Sequence, residues 1–186
     1  MTPAARRPAD VQRGPGIFGG EAETGVEPDE GEALGAVPSS SGRRLVVEAD
    51  GGSRGNPGPA AYGAVVRDAA TGDVLVTEGL TIGVATNNVA EYSGLIAGLE
   101  MVRILDPGAE VEVRMDSKLV VEQMAGRWKV KHPSMIPLAR RASALRPARV
   151  NWTWVPREQN KAADALVNLA LDGSPVRREL PGMPSK

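Results

Sequence analysis

The chain has 186 residues, of which 41% are hydrophobic and 24% are charged, a composition typical of one globular domain. It contains no cysteine and one histidine, His132, which excludes disulfide scaffolds, cysteine-ligated zinc and multi-histidine metal sites. The net charge of −1 conceals an asymmetry: residues 1–42 carry three basic and seven acidic side chains, whereas residues 43–186 carry 19 basic and 16 acidic ones. This mildly basic body favours an anionic partner.

Composition also divides the chain along its length. Residues 1–42 are rich in glycine and proline and contain one aromatic side chain, Phe18, so we predict a disordered acidic leader. The leader lacks the apolar core of a secretory signal, and no run of about 18 apolar residues occurs, so we expect a cytoplasmic protein without membrane contact. A folded domain is predicted over residues 43–173, followed by a flexible tail over residues 174–186.

The predicted domain begins with three β segments. The first, RRLVVEAD, is rich in β-forming residues and leads into the Gly-rich turn DGGSRGNPGPA. The next two lie in AYGAVVRDAATGDVLVTEGLTIG and predict a hairpin that turns at residues 71–73. These three strands therefore form an antiparallel meander.

Helices and strands alternate after the hairpin. Apolar residues recur at helical spacing in NNVAEYSGLIAGLEMVRIL and alternate as in a strand in AEVEVRMD. Helices are then predicted in SKLVVEQMAG and SMIPLARRASAL, a strand in VNWTWV, and a last helix after the loop REQN. The order β-β-β-α-β-α-α-β-α predicts an α/β fold with a mixed five-stranded sheet, three antiparallel strands followed by parallel additions, flanked by helices.

Four acidic residues occupy the ends of these elements. Asp50 and Asp116 each end a predicted strand, while Glu91 and Asp164 lie in the first turns of predicted helices. If the two strands are neighbours, Asp50 and Asp116 meet at the sheet edge where α/β proteins usually bind ligands. Like charges gathered there need a cation, and oxygen ligands without nearby cysteine or histidine favour Mg²⁺ or Mn²⁺.

Each of the four residues also has a purely structural interpretation. Glu91 follows Asn88 with the spacing of a capping box, and Asp164 can complement a helix dipole. Asp50 and Asp116 can be ordinary turn and cap residues. Their common placement beside a Gly-Asn-Pro-Gly turn favours a shared functional role.

Four segments resemble, in the same order, the motifs of type 1 ribonuclease H: DGGSRGNPGPAAYGAVV, TNNVAEYSGLIAGLE, MDSKLVVEQMAG and WVPREQNKAADALVN. They cover about residues 43–171, and the short basic segment RWKVKHP is closer to the archaeal-like branch seen in actinobacteria. The resemblance implies a ribonuclease H-like fold and a catalytic, metal-binding quartet: Asp50, Glu91, Asp116 and Asp164. It also implies a cofactor of two Mg²⁺ ions, or Mn²⁺, and endonucleolytic cleavage of the RNA strand of an RNA/DNA hybrid, leaving a 3′-hydroxyl and a 5′-phosphate.

The same resemblance implies which residues contact the hybrid. The substrate-binding positions are Gly51, Ser53, Asn56, Thr86, Asn87, Asn88 and Arg157. A turn former and a helix cap are the alternative roles of Asn56 and Asn88. The loop VPREQN lacks a histidine that many relatives have, and we expect Arg157, in preference to Glu158, to replace it as a phosphate contact that does not shuttle protons.

A basic stretch with one aromatic residue is predicted to follow nucleic-acid phosphates, and it comprises Arg127, Trp128, Lys129 and Lys131. Solvated surface charge is the alternative interpretation. Trp152 and Trp154 alternate on one strand face and are expected in the core, and His132 is expected to be structural or on the surface.

Two other functions stay open at this point. A non-catalytic hybrid-binding module would need a degraded quartet, and all four acidic positions are intact. Another nuclease of the same superfamily is opposed by the TNN and GNPG elements and the 2′-hydroxyl contacts they imply. The expected partner is an RNA/DNA hybrid, with no obligate protein partner and no phosphatase domain after residue 186.

Overall fold

The computed structural model describes residues 42–179, which contain a five-stranded mixed sheet. The strands are β1 (Arg44–Ser53), β2 (Gly58–Asp68), β3 (Val74–Ala85), β4 (Glu110–Met115) and β5 (Arg149–Trp154). Their spatial order is β3-β2-β1-β4-β5, and β1–β2 and β2–β3 are antiparallel whereas β1–β4 and β4–β5 are parallel. The predicted sheet is therefore confirmed. The predicted leader, up to residue 41, and residues 180–186 lie outside the described residues.

Helices follow in the predicted order. They are α1 (Asn87–Leu105), α2 (Lys118–Met124), α3 (Ile136–Ala144) and α4 (Lys161–Leu171), with a 3-10 turn at Arg157–Gln159. Over the span from residue 42 to residue 179, none of the helices combines the length and the hydropathy that crossing a bilayer requires.

The start of α1 differs from the predicted capping box. Thr86 is the N-cap, and its hydroxyl accepts a hydrogen bond from the backbone N–H of Val89 at 3.4 Å. Asn88 lies inside the helix, and Glu91 is the fifth helical residue. The capping-box interpretation of Asn88 and Glu91 is therefore wrong, because Thr86 caps the helix two residues earlier.

The strand that carries Asp50 is longer than predicted. β1 continues to Ser53 because its glycines remain paired with β2, so that Gly51 lies opposite Tyr62 and Ser53 opposite Ala60. Asp50 therefore lies inside β1 and not at its end, and the connection to β2 is limited to residues 54–57.

The sheet separates two layers of helices. Neighbouring residues of β1 face different helices, because a Cβ on Gly51 would meet Ala90 of α1 and a Cβ on Gly52 would meet Val167 of α4. Successive strand residues point to opposite faces, so α1 and α4 cover opposite sides of the sheet. The main core lies on the α1 side and includes Leu45, Val47, Leu95, Leu99, Val111 and Val113. A smaller cluster of Ala61, Val167 and Ala170 lies on the α4 side.

Glycine at the contact points lets both helices touch the sheet backbone. A Cβ on Gly94 of α1 would lie 2.5 Å from the carbonyl oxygen of Asp50. A Cβ on Gly63 of β2 would lie 2.2 Å from the carbonyl oxygen of Ala163 in α4. No side chain fits at these distances, so the positions of α1 and α4 relative to Asp50 are set by backbone contact.

After α4 ends, the chain pairs with the edge strand β3 through one antiparallel bridge. Gly79 and Val176 exchange two backbone hydrogen bonds, of 2.7 and 2.9 Å. The Arg178 guanidinium binds Glu78 at 2.5 and 2.9 Å and Glu100 at 3.3 Å. Packing contacts thus extend to residue 178, past the predicted domain boundary at residue 173.

The contact of Gly94 with β1 leads to a stability prediction. In an exposed helix, glycine to alanine stabilises by about 1 kcal/mol, but Gly94→Ala must displace a strand carbonyl and should destabilise by about 2 kcal/mol or more. Gly98→Ala, where the nearest atom is a Val47 methyl at 2.4 Å, should cost less because a side chain can shift. Urea unfolding measures both. A Gly94→Ala protein as stable as the wild type would contradict the backbone contact.

Candidate active site

Four acidic side chains line one pocket at the carboxyl ends of β1 and β4. Asp50 belongs to β1 and Asp116 directly follows β4, which runs parallel beside β1. Glu91 enters from α1 and Asp164 from α4. The structure therefore brings together the four residues that the sequence singled out, from four separate elements.

Asp50 is the most buried of the four, with 7% of its surface exposed. Its Oδ1 accepts a hydrogen bond of 2.8 Å from the backbone N–H of Gly51. Burial, and next the negative charge of Asp116, raise the pKa of Asp50 to about 7 in spite of that hydrogen bond. A carboxyl group with this pKa is partly protonated near neutral pH.

Glu91 is half-buried and held by two side-chain donors. The Ser117 hydroxyl donates to Oε2, and the Asn87 amide donates to Oε1 at 2.9 Å. Burial raises the pKa of Glu91 to about 6, with a further upward contribution from the charge of Asp116, against the lowering effect of both donors. Ser117 is also the N-cap of α2, where its hydroxyl accepts from Val120 at 3.4 Å.

Asp116 is fixed at both its side chain and its backbone. The Asn160 amide donates to Oδ1 at 2.8 Å, and the Trp154 indole donates to the backbone carbonyl at 3.0 Å. Trp154 is 49% exposed, so the expectation that it lies in the core is wrong. It ends β5, an edge strand, where the outer side of the sheet has no further neighbour in the described chain. Trp152 is partly buried against the main core.

Within the described residues, Asp164 is the only acidic side chain of the pocket that is paired with a cationic side chain. The Arg157 guanidinium donates to its Oδ1 at 2.5 Å, and Asn168 donates to its Oδ2 at 3.1 Å. The other arginine that lines the pocket, Arg54, is paired with Asp172. Four carboxylates therefore face one arginine that is available to balance them.

The pocket has the donor chemistry of a hard divalent-cation site but not a preformed one. Within residues 42–179, no three acidic or histidine side chains are grouped so that they could hold a metal ion together. Protein donors occupy oxygens of Glu91, Asp116 and Asp164 instead. The residues present fit Mg²⁺ or Mn²⁺, because carboxylate oxygens are the preferred ligands of these ions. The pKa of Asp50 is raised first by burial and then by the neighbouring negative charges, both of which a bound cation would offset. A carboxylate has about four lone-pair sites, so these donors leave lone pairs on the same oxygens for a cation.

The predicted substrate-binding residues divide into two groups. Those that line the acidic pocket are Gly51, Ser53, Asn87 and Arg157. The others, Asn56, Thr86 and Asn88, lie beside it at the turn after β1 and at the start of α1.

Several of these polar groups also have structural roles. The Ser53 hydroxyl donates to the carbonyl of Ala85 at 2.8 Å, and Asn56 Oδ1 accepts from the backbone N–H of Asn87 at 3.2 Å. These bonds tie the turn after β1 to the start of α1, and thereby hold Asn87 beside Glu91.

The predicted basic stretch follows α2 and lies on the surface. Arg127 is paired with Glu122 at 2.5 and 3.0 Å, while Trp128, Lys129 and Lys131 are exposed. In the described part of the chain, none of these residues lines the acidic pocket. The structure does not bring them to the carboxylates, and their contact with nucleic acid stays a prediction.

Sequence reasoning assigned no role at the acidic pocket to Ser117, Trp154, Asn160 or Asn168. Ser117 stands next to Asp116 ahead of a helix, which was a usable signal for a residue that caps the helix and faces the same site. Asn160 and Asn168 lie four residues before and after Asp164, the spacing of one helical turn. Asn160 could not be told from an ordinary helix cap by its position alone.

Comparisons with known proteins identify the family of the chain. A family model described as reverse transcriptase-like matches residues 48–170. The bifunctional protein Rv2228c of Mycobacterium tuberculosis is 57% identical over 133 residues, which are 70% of this chain and 36% of that protein. The ribonuclease HI of Halobacterium salinarum is 45% identical over 139 residues, which are 73% of this chain and 68% of that protein. The chain thus spans about a third of the length of the first curated relatives it matches.

The fold is also similar to that of a solved ribonuclease H structure. The crystal structure of LC11-RNase H1 in complex with an RNA/DNA hybrid is similar with a TM-score of 0.66 and 41% identity, and the match covers 70% of this chain and 98% of that one.

The raised pKa of Asp50 predicts how stability changes with pH in metal-free buffer. The folded-state pKa of about 7 lies above the ordinary 3.8, so Asp50 favours folding below about pH 4, and that contribution is lost as the pH rises through 7. Asp50→Asn has no charge to lose and keeps an acceptor for the Gly51 N–H. It should therefore be more stable than the wild type by on the order of 2 kcal/mol at pH 8, and the difference should shrink toward pH 4.

Urea unfolding in the presence of a chelator, repeated from pH 4 to pH 8, measures this difference. The matched control is Asp73→Asn in the exposed β2–β3 hairpin, which removes an acidic side chain outside the pocket. An Asp50→Asn effect of the same size at both ends of the range would contradict the electrostatic account.

Proposed function

The chain belongs to the type 1 ribonuclease H family, and on this premise we propose that it hydrolyses the RNA strand of RNA/DNA hybrids. The observation that carries the proposal is the convergence of Asp50, Glu91, Asp116 and Asp164 in one pocket. The name of the Halobacterium salinarum relative and the hybrid bound to LC11-RNase H1 support the reaction and the substrate class. We assign the activity to the domain predicted over residues 43–173.

Two Mg²⁺ ions, or Mn²⁺, are part of the proposal. Such ions, when bound, supply an activated water and stabilise negative charge on the leaving oxygen of a phosphodiester. The four carboxylates would hold them, with Asp50 at their centre, because burial and then the charges of the three other carboxylates raise its pKa. A phosphodiester is anionic, so the ionised pocket would repel it without such neutralisation.

The residues around the carboxylates set the direction of each one. Ser117 and Asn87 hold the two oxygens of Glu91, and Asn168 holds Asp164 from within its own helix. Asn87 also lines the pocket, and its backbone N–H donates to Oδ1 of Asn56. We propose that Asn56 and Asn87 read the RNA strand at its 2′-hydroxyls, where an amide can donate and accept.

Arg157 is the proposed phosphate contact beside Asp164. Its side chain is 72% exposed and reaches the pocket from the 3-10 turn before α4. A guanidinium keeps its charge near neutral pH, so it can bind a phosphate oxygen but cannot transfer a proton. The proposed products are a 3′-hydroxyl and a 5′-phosphate. The cytoplasmic location and the absence of an obligate protein partner stay predictions.

Cleavage of an end-labelled RNA/DNA hybrid, with Mg²⁺ or Mn²⁺ added, tests the proposed function. The wild type should cut the RNA strand and leave matched duplex DNA intact, and Asp50→Asn should lose more than about 100-fold in rate while still binding hybrid. Asp73→Asn, in the exposed hairpin, should cut at the wild-type rate. Wild-type activity in Asp50→Asn would refute the proposed site. Hybrid binding without cleavage by the wild type would instead favour the non-catalytic binding module.

The role of Arg157 is tested by the salt dependence of hybrid binding. Loss of one phosphate contact in Arg157→Ala should reduce the slope of log affinity against log salt by about 0.9 and weaken binding at low salt. Arg103→Ala, on the exposed far end of α1, is the matched loss of one positive charge and should leave the slope unchanged. Equal slopes for Arg157→Ala and the wild type would remove Arg157 from the interface.

A further inference from the structure

Asn160 joins three of the elements that carry the acidic residues. Its side chain is fully buried, and its Nδ2 donates to the carbonyl of Ala49 at 3.0 Å and to Oδ1 of Asp116 at 2.8 Å. Its backbone carbonyl accepts a hydrogen bond of 3.1 Å from the N–H of Asp164. Since Ala49 immediately precedes Asp50, Asn160 contacts the chain at or next to three of the four carboxylates.

The side-chain amide of Asn160 does not cap α4, although its position before the helix predicts this role. Asn160 is the N-cap of α4, and asparagine is among the residues most favoured there because its side-chain oxygen can accept from the first helical N–H groups. In the described chain this side chain makes no cap hydrogen bond. The helix begins without a side-chain cap, and the amide binds β1 and Asp116 instead. Such a departure from a local preference is expected where function constrains a residue.

The two acceptors also fix the orientation of the amide group. With Nδ2 toward Ala49 and Asp116, both contacts are attractive, whereas the flipped amide would place an oxygen against two oxygens. The remaining atom, Oδ1, is buried and has no hydrogen-bond partner among residues 42–179. A buried carbonyl without a partner is unfavourable. The two hydrogen bonds made by Nδ2 of the same amide offset part of this cost.

We propose that Asn160 is a positioning residue that holds the Asp116 carboxylate in a fixed direction relative to β1 at Asp50. The like charges of Asp50 and Asp116 repel each other. Without the Asn160 donor, the Asp116 side chain could rotate away and reduce this repulsion. The donor on Oδ1 opposes that rotation, and because the same nitrogen binds the β1 backbone, it ties both carboxylates to one frame. Hydrogen bonds of this kind orient metal ligands and raise their affinity. The inference rests on the proposed function, since it matters only if both carboxylates act together.

Asn160→Ser separates positioning from helix capping. Serine is an N-cap former equal to asparagine, so α4 can still begin at residue 160, but its short side chain cannot reach both Ala49 and Asp116. Asn160→Ala also removes both amide hydrogen bonds but supplies no cap, and it serves as the second variant. Val102→Ala is the matched control, because it truncates a buried side chain in the far half of α1 and lowers stability without contact with the pocket.

The experiment measures Mn²⁺ affinity by calorimetry on the folded full-length proteins, with kcat and KM for hybrid cleavage as a second readout. Asn160→Ser and Asn160→Ala should bind Mn²⁺ about 10-fold or more weakly, with a matching loss in kcat and a KM close to that of the wild type. Val102→Ala should keep both Mn²⁺ affinity and kcat within about twofold of the wild type.

Wild-type Mn²⁺ affinity in either folded Asn160 variant would overturn the positioning role. An equal loss in Val102→Ala would overturn it as well, because the effect would then follow stability alone. A wild-type protein that binds Mn²⁺ but does not cleave hybrid would contradict the proposed function, and the Mn²⁺ affinities of the variants would then decide the role of Asn160 by themselves.

Discussion

Mutual repulsion among four carboxylates in one pocket is the constraint on which the rest of this structure depends. The parallel pairing of β1 with β4 brings Asp50 beside Asp116, and backbone contacts through Gly94 and Gly63 hold α1 and α4 against the sheet. Separation of the charges would require strands and helices to move, which the buried core on both faces opposes. The fold therefore supplies the energy that keeps an unfavourable cluster together.

Hydrogen-bond donors are distributed unequally among the four carboxylates. Glu91, Asp116 and Asp164 each accept from neighbouring side chains, whereas the described residues give Asp50 only the Gly51 N–H. Burial and the neighbouring charges raise the pKa of Asp50 to about 7, above that of Glu91 at about 6, and for this reason we propose Asp50 as the centre of the cation site. The same donors would restrict how far the other carboxylates turn when a cation binds. The hydrogen bonds of the metal-free pocket would therefore also orient the ligands in the proposed reaction.

Element order and the acidic residues could be predicted because each depends on local signals: side-chain periodicity, turn glycines and carboxylates near strand and helix ends. Apart from the N-cap of α1, predictions failed where a partner distant in sequence decided the outcome. Asp50 lies inside β1 because β2 keeps pairing with its glycines, and Trp154 lies exposed at the end of β5, where its indole binds the carbonyl of Asp116, 38 positions away. Arg178 binds Glu78, 100 positions away along the chain, and Asn160 binds Ala49, 111 positions away. No local pattern carries such information.

The central claim is that these carboxylates share one electrostatic environment, and the most direct measurement is the pKa of Asp50 itself. Carboxyl-carbon NMR of protein labelled at aspartate, with Asp50→Asn used to assign the signal, follows this group through a pH titration. In chelator-containing buffer the account predicts a midpoint near 7, and a lower midpoint once Mg²⁺ is added. A midpoint near the ordinary value of 3.8, unchanged by Mg²⁺, would contradict it.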